Sequence, residues 1–217
     1  MSFGTYLYDL NMAIVERACL KSWRRELLKH VYGEVLEVGA GTGANIDHYS
    51  DQVTRLVLTE PDKHMRRILE RNVSSRGLKK VQVSDGTAQQ IRAEDESFDC
   101  VVSSLVCGGA PNLGTALEEI KRVLKPGGNF VFLEHVAAAE GTSTRRWQDR
   151  INPIWRIMGW SLNPETEKAI ITAGFKIIEI TRENVRRTLP ILGSTIRGIA
   201  VKKPNKGLNT DGLAPAD

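Results

Sequence analysis

The stretch Glu34-Val-Leu-Glu-Val-Gly39-Ala-Gly41-Thr-Gly43-Ala44-Asn45 runs a hydrophobic strand directly into three glycines. Glycines at this position permit a tight turn and let a ligand approach bare backbone, and the helix that follows begins with unpaired N–H groups. The spacing satisfies the dinucleotide fingerprint G-x-G-x-x-A, and Glu60 stands 21 positions after Gly39, where a carboxylate accepts ribose hydroxyls. The stretch predicts a nucleotide-type cofactor at the end of the first strand of an α/β sheet.

Short β-rich runs follow one another along the chain, and helical patterns alternate with the first five. Two of these helices are predicted at Asp62 to Ser75 and Asn112 to Leu124. Alternating strands and helices predict a Rossmann-like α/β fold, a seven-stranded and mostly parallel sheet with helices on both faces. The predicted strands are Glu34 to Val38, Thr54 to Thr59, Val81 to Ser84, Phe98 to Ser103, Phe130 to Glu134, Phe175 to Thr181 and Ile196 to Val201.

The amino-acid composition limits the classes of protein to which the chain can belong. Of the 217 residues, 41% are hydrophobic and 26% charged, which is the ordinary globular mix and argues against a disordered or fibrous chain. No apolar run approaches the roughly 18 residues that cross a bilayer, so we expect a cytoplasmic protein. The three cysteines have no CxxC spacing and the four histidines are scattered, so no disulfide framework, zinc site or other metal is expected. A net charge of +4 alone does not indicate nucleic-acid binding.

Two segments flank the predicted sheet units. Residues 6 to about 30 form a predicted helix whose basic residues recur at every fourth position, on one face. That stripe is either a solvated surface or a contact for anionic lipid or an anionic acceptor. The segment 137–165 holds three of the four tryptophans among arginines and is predicted to be an inserted lid, followed by a helix from Pro164 to Ala173 capped by Asn163. The basic stripe consists of Arg17, Lys21, Arg25 and Lys29.

Five motifs, in order and spacing, resemble the class I S-adenosylmethionine-dependent methyltransferases. The similarity spans about residues 33 to 135 and implies S-adenosylmethionine as cofactor and a last strand antiparallel to the others. The motifs are Leu36-Glu-Val-Gly-Ala-Gly-Thr-Gly43, Thr59-Glu-Pro-Asp62, Ser84-Asp-Gly-Thr-Ala88, Ser97-Phe-Asp-Cys-Val-Val102 and Arg122-Val-Leu-Lys-Pro-Gly-Gly128.

The resemblance also implies a set of cofactor-binding residues. The loop Gly39 to Gly43 would wrap the methionine end, with its N–H groups near Gly41 and Gly43 facing the carboxylate and Glu37 suited to the ammonium. Asp99, by the same resemblance, supports neighbouring backbone instead of reacting. The expected cofactor residues are Glu37, Gly39, Ala40, Gly41, Gly43, Asn45, Glu60 for the ribose, Pro61 or Asp62 at the adenine, Asp85 for the adenine amino group, Gly86 and Thr87.

A narrower resemblance points to the thiol methyltransferase branch, whose members are associated with lipid droplets and endoplasmic reticulum. It is carried by Gly43-Ala-Asn45, Phe132-Leu-Glu-His-Val-Ala137, Trp147-Gln148, Pro153-x-Trp155 and Arg197-Gly-Ile-Ala-Val-Lys202. The chain lacks the hydrophobic N-terminal anchor of those relatives, so membrane insertion is not expected of it. The acceptor implied is a small apolar thiol, with a quinone or lipid as the alternative.

Few side chains are candidates for the chemistry itself. His135, at the end of the fifth strand, is the candidate catalytic residue, although a histidine there also serves as a hydrogen-bonded structural residue. His48 is expected to border the acceptor pocket. Trp147, Trp155, Met158 and Trp160 are expected to line or cover it, although helix packing would explain the aromatic cluster equally well. Ser103-Ser-Leu-Val106 lacks the Asn/Asp-Pro-Pro-aromatic motif of enzymes that methylate nucleic-acid bases, so no nucleic-acid partner is expected.

The expected organisation is one methyltransferase domain over 1–203, with a helical cap at 1–32, the lid at 137–165 and a disordered tail at 204–217. Two other classes of protein share the glycine loop. An NAD-dependent oxidoreductase is one, although no tyrosine has a lysine four positions on, as the short-chain dehydrogenases require. A cofactor-binding protein without turnover is the other.

Overall fold

The computed structural model describes residues 16–157 and 159–204. They form a seven-stranded sheet in the order β3-β2-β1-β4-β5-β7-β6. Neighbours from β3 to β5 pair in parallel, whereas β7 is antiparallel to both β5 and β6, which confirms the fold class and the antiparallel last strand. The strands are β1 (Gly33–Val38), β2 (Val53–Thr59), β3 (Val81–Ser84), β4 (Phe98–Ser104), β5 (Leu124–His135), β6 (Phe175–Asn184) and β7 (Ser194–Lys202).

Helices connect the strands and cover the sheet. A π-helical turn, Glu16–Leu20, leads into α1 (Lys21–Leu27) and the 3₁₀ turn Leu28–His30. Residues 6–15 of the predicted N-terminal helix and the tail beyond 204 lie outside the described residues. The other α-helices are α2 (Lys63–Ser75), α3 (Leu113–Val123), α4 (Ser143–Ile157), α5 (Thr166–Thr172) and α6 (Pro190–Gly193), and short 3₁₀ turns span Ile46–His48 and Cys107–Gly109.

The core lies on both faces of the sheet because the central strands are apolar on both sides, as parallel strands are. In β1, Val35 packs into one cluster with Leu69 of α2, and Leu36 packs into the other with Leu117 of α3. Two-sided burial fixes the position of β1, so the loop that leaves its carboxyl end is held on a rigid support.

Two predicted boundaries need correction. β5 begins at Leu124 and not at Phe130, because the chain pairs with β4 immediately after α3, with a register shift across the Lys125-Pro-Gly-Gly128 motif. The predicted cap of the following helix is also wrong: α5 begins at Thr166, and Asn163 donates instead to Asp149 of α4 at 2.7 Å. In both cases a contact between segments far apart in sequence overrides the boundary that the local sequence predicts.

Asp99 has the supporting role that the resemblance implied. One of its oxygens accepts from the N–H of Glu34 at 2.8 Å and the other from Nζ of Lys125 at 2.9 Å. These bonds tie the beginnings of β1 and β5 to β4, at the edge of the sheet opposite the glycine loop.

Candidate active site

The glycine loop carries three residues with left-handed backbone, Gly39, Gly41 and Gly43, at φ values of 62°, 58° and 94°. A methyl group added at Gly41 would meet no protein atom within 4 Å, whereas one added at Gly39 would lie 2.6 Å from the side chain of Val106. Gly43 is similarly crowded by neighbouring side chains. Of the three glycines, Gly41 alone borders open space, so it is the one placed to let a ligand approach the backbone.

One expectation about this loop is not met. The N–H of Gly41 donates to Oε2 of Glu60 at 2.8 Å, and the N–H of Gly43 donates to the carbonyl of Ala40 at 2.9 Å. The turn therefore satisfies both donors internally, and neither is left unpaired for a carboxylate. The tight turn folds the Gly43 N–H onto the carbonyl of Ala40, whereas the Gly41 N–H is taken by the carboxylate that follows the neighbouring strand β2.

Glu60 follows β2 and is 6% exposed. Its second oxygen, Oε1, accepts from the N–H of Asp62 at 2.9 Å. Each carboxylate oxygen has a further lone pair, so Glu60 can accept two more hydrogen bonds while these backbone donors hold it in place. Glu60 thus keeps acceptor capacity for a ligand beside Gly41.

The adenine side of the predicted site lies on the next strand. Thr59 of β2 is paired with Ser84 of β3, which brings Glu60 and Asp85 to the same edge of the sheet. Asp85 is exposed and pairs with Arg92 at 2.8 Å, so an adenine amino group would share this carboxylate with a guanidinium. Of the remaining residues expected there, Pro61 is exposed, Gly86 is buried and Thr87 is partly buried.

A buried hydrogen-bond network lies beneath the glycine loop. Glu37, 2% exposed, accepts from Nδ2 of Asn45 at 2.8 Å and from the hydroxyl of Tyr49 at 2.7 Å. Asn45 in turn accepts from Arg24 of α1 at 2.9 Å. Burial raises the pKa of Glu37 to about 7, and the two hydrogen bonds and the charge of Arg24 oppose that rise. The structure thus brings Glu37 and Asn45 together and adds two residues that sequence reasoning missed.

A second buried carboxylate, Glu134, fixes the loop after β4. It is fully buried and accepts from the hydroxyl of Ser103 and, at 2.9 Å each, from the N–H groups of Val106 and Cys107. Burial raises the pKa of Glu134 to about 7. Because Val106 covers Gly39, this carboxylate also fixes one wall of the glycine loop. The sequence signal for Glu134 is a single acid within the apolar run that begins at Phe130.

His135 is buried, and its Nε2 lies 2.8 Å from the carbonyl oxygen of Leu162. A carbonyl only accepts, so Nε2 carries the proton in this contact. Burial lowers the pKa of His135, which keeps the ring neutral. The ring connects β5 to the segment after α4. The catalytic role predicted for His135 stays a prediction, and this contact favours the structural alternative.

The three tryptophans of the segment 137–165 lie in different environments. Trp147 is 54% exposed and lies beside Arg150, with the guanidinium carbon 5.8 Å from the ring centroid. Its ring faces outward because Gln148 turns inward and bonds to backbone on both sides of α4, and this exposure disfavours the predicted place of Trp147 in the acceptor pocket. Trp155 is partly buried, and its place in the acceptor pocket stays a prediction. Trp160, which was also predicted to line or cover the pocket, packs over the 3₁₀ turn after β4, at the carboxyl end of that strand. Met158, predicted with it, lies outside the described residues.

His48 lies at the end of the 3₁₀ turn after the glycine loop and is partly buried. Burial and the positive charge of Arg24 lower the pKa of His48. The imidazole thus faces Arg24 of the helix α1, and the lowered pKa favours its neutral form.

A groove of about 1100 Å³ opens farther along the same edge of the sheet, between α4, α5 and the ends of β6 and β7. Val136, Thr166 and Ser194 contribute to its walls. Its arginines are already paired with carboxylates, Arg145 with two and Arg182 with one. The groove includes none of the residues predicted to bind cofactor, and the volume of a cavity alone does not assign it a ligand.

Within residues 16–157 and 159–204, no group of three or more His, Cys, Asp or Glu side chains is placed to hold a metal ion. In that same part of the chain, no helix is long and apolar enough to cross a bilayer. The three cysteines, Cys19, Cys100 and Cys107, are all buried.

Comparison with known proteins agrees with this geometry. Residues 36–132 match the family model described as a methyltransferase domain. The chain is 31% identical to the thiol S-methyltransferase TMT1A of Homo sapiens, over 91% of this chain and 82% of that protein. It is 27% identical to a phosphatidylethanolamine N-methyltransferase of Cereibacter sphaeroides, over 81% of this chain and 85% of the relative.

The fold has solved counterparts. The structure of geranyl diphosphate methyltransferase in complex with SAM superposes with a TM-score of 0.69 at 11% identity, covering 85% of each chain. An identity this low shows a shared fold and says nothing of the acceptor.

Proposed function

The chain belongs to the class I S-adenosylmethionine-dependent methyltransferases, and on that premise we propose that it methylates the sulfur of a small apolar thiol. The observation that supports a thiol as the methyl acceptor is the similarity to TMT1A along nearly the whole chain. The geometry supports it, because the buried polar side chains Glu134 and His135 at the end of β5 are engaged in hydrogen bonds. Thiols need the least help from a base, since thiolate forms near neutral pH and is a strong nucleophile.

The residues present fit S-adenosylmethionine. Gly41 borders open space, the Glu60 carboxylate lies beside it with acceptor capacity to spare, and Asp85 follows at the end of the next strand. We assign the ribose to Glu60, the adenine amino group to Asp85 and the methionine ammonium to Glu37. When bound, the cofactor supplies a methyl group activated by its sulfonium.

The chain's own part in the reaction is alignment and exclusion of water. Glu134 holds Val106 against the glycine loop, and Trp160 covers the adjoining turn. We propose that residues 137–165 act as the lid, with Trp155 and Trp160 as its acceptor-facing aromatics. We also propose that residues 1–203 form one domain.

The test is an acceptor panel. Purified protein receives cofactor with a labelled methyl group together with alkyl and aryl thiols, quinones, catechols and phosphatidylethanolamine. We expect label in thioether products, with turnover rising as the thiol becomes more apolar. Label in ring carbon, oxygen or the lipid amine, with no thioether formed, would reject sulfur and leave the methyltransferase assignment standing.

We further propose that the protein works in the cytoplasm, without a nucleic-acid partner, and makes peripheral contact with anionic membrane. Lys21, Arg25 and Lys29 of the predicted stripe are exposed, while the side chain of Arg17 is not among those described. The outward face of α4 supports the same contact: Trp147, Ile154 and Ile157 are 54%, 65% and 86% exposed. Arg146 and Arg150 lie on that face, and apolar side chains flanked by arginine are typical of interfacial helices.

Vesicle flotation tests this contact, using phosphatidylcholine with and without phosphatidylserine. We expect binding to the anionic vesicles at low salt, weakened by Ile157→Asp. Ile171→Asp on α5 is the matched control, because Ile171 is also exposed, at 56%, but belongs to a different helix from the exposed face of α4. Equal binding by both variants, or no preference for anionic vesicles, would refute the membrane contact.

A further inference from the structure

Arg24 is a buried cation outside the predicted site. It is 5% exposed and comes from α1, yet its guanidinium reaches Oδ1 of Asn45 at 2.9 Å, 21 positions along the chain. Its Nε also donates to Glu16 at 3.1 Å. Burial of a guanidinium is costly unless its donors are satisfied, so a solvated helix face alone does not explain this placement.

We propose that Arg24 is a positioning residue of the cofactor site, acting on Glu37 through Asn45. The inference goes beyond the methyltransferase assignment and rests on the proposed roles of Glu37 and Asn45. It couples the N-terminal helix to the cofactor.

The physical argument concerns the orientation of one carboxamide. Arginine has donors and no acceptor, so Arg24 requires Oδ1 of Asn45 to face it. The Nδ2 group must then point the other way, where it donates to Glu37 at 2.8 Å and to the hydroxyl of Ser104 at 3.1 Å. Without Arg24 the carboxamide can turn over, and its oxygen would then face the Glu37 carboxylate. Arg24 therefore secures, from the Oδ1 end, the orientation in which Asn45 donates to Glu37, and without it only the contacts of the Nδ2 group hold that orientation.

Coupling of this kind is reciprocal. If α1 orients Glu37 for the cofactor, then bound cofactor must stabilise α1 by the same free energy. S-adenosylhomocysteine should slow amide hydrogen exchange in Lys21–Leu27 of the wild-type protein more than in Thr166–Thr172, the helix α5. This measurement needs no variant, so it is unaffected by any folding defect.

The main experiment compares Arg24→Met with Lys202→Met. Lys202 is the matched control because it is 6% exposed and donates to the carbonyl of Leu124 at 2.6 Å, at the opposite edge of the sheet. Both variants remove a buried cation, so both should unfold more readily. Calorimetry should show S-adenosylhomocysteine binding weakened about tenfold to a hundredfold by Arg24→Met, the range of one lost charge-assisted hydrogen bond, and within about twofold of wild type for Lys202→Met. Arg24→Gln, which keeps a donor, is the milder variant if Arg24→Met does not fold.

A double-mutant cycle identifies the route. In an Asn45→Ala background, the change at Arg24 should alter the affinity by less than about threefold, because the carboxamide that transmits it is gone. Additive losses from the two changes would refute action through Asn45.

The pH dependence of binding supplies a readout that a purely structural role would not move. The titratable groups facing Glu37 are Tyr49 and Arg24, with Cys100 of β4 behind Tyr49 and Glu16 and His48 beside Arg24. The positive charge of Arg24 lowers the pKa of Glu37, so its removal should shift the loss of affinity on acidification to higher pH. The comparison is made in a His48→Gln background, since His48 also responds to Arg24.

The outcomes are separable. Equal affinities for Arg24→Met and Lys202→Met, with an unshifted pH profile and no slowing of exchange in α1, would overturn the proposal. Failure of the wild-type protein to bind S-adenosylhomocysteine would instead overturn the assignment of Glu37 and Asn45 to the cofactor.

Discussion

Substitution of Gly41 by alanine should separate cofactor binding from folding. Gly41 has a φ of 58°, and a methyl group there meets no protein atom within 4 Å. Gly77, at the end of α2, has a φ of 63° and the same open surroundings. A left-handed alanine costs about 1 to 2 kcal/mol, so both variants should lose about that much free energy of unfolding.

The two variants should differ in affinity. The added methyl of Gly41→Ala points into the space assigned to the cofactor, so we expect at least a tenfold loss of affinity, which corresponds to about 1.4 kcal/mol. Gly77→Ala should bind the cofactor like the wild type. Urea denaturation gives the free energies of unfolding, and calorimetry with S-adenosylhomocysteine gives the affinities.

Gly43→Ala completes the comparison. Its methyl group would lie 2.4 Å from Cδ1 of Ile46 and 2.9 Å from Leu69, so overpacking adds about 1 to 3 kcal/mol to the backbone strain. It should therefore be the least stable of the three variants. The reasoning is refuted if Gly41→Ala binds as tightly as Gly77→Ala, or if it loses as much stability as Gly43→Ala.

Four further substitutions test the site. Glu60→Ala should weaken S-adenosylhomocysteine binding by about 1 to 3 kcal/mol in calorimetry, and Gly41→Val should weaken it more, because a β-branched side chain also obstructs the ligand. His135→Ala should lower thiol turnover about tenfold to a hundredfold and also lower the melting temperature, since the contact with Leu162 is lost; a larger loss of turnover in a fully stable variant would restore a direct catalytic role. Burial raises the pKa of Glu134 from 4.5 to about 7 in the folded protein, so protonation of this carboxyl group stabilises the fold. The stabilisation is complete below pH 4.5 and is lost as the pH rises through 7. Glu134→Gln should remove this pH-dependent loss of stability, which is about 3 kcal/mol at most. The test is denaturation at pH 5 and pH 8. An equal decrease in the free energy of unfolding of both proteins would contradict the prediction.

Much of the site could be predicted because it is encoded locally. The glycine loop, Glu60 and Asp85 each follow a strand directly, and the carboxyl ends of parallel strands meet at one edge of the sheet. Arg24 and Tyr49 could not be found in this way. Their contact with the site depends on how α1 and the 3₁₀ turn pack over β1, which no spacing along the chain records.

Trp147 shows the same limit on a helix. Its neighbour Gln148 has backbone partners on two other elements, Ala138 and Ile191, and those bonds set the rotation of α4. The sequence predicts an aromatic cluster in this segment, but the rotation of α4 determines that Trp147 is exposed and Trp155 partly buried.

The positions of the strands, the fold class, the cofactor loop and the methyltransferase family could be read from the sequence. They depend on hydrophobic period, on glycine conformation and on motifs shared with relatives. The tertiary structure decided which polar groups are already engaged. The N–H groups of Gly41 and Gly43 are satisfied within the protein, and His135 bonds to a backbone carbonyl. Hydrogen bonding is short-ranged and directional, so it depends on distances between segments far apart in sequence, and only the folded chain fixes those distances.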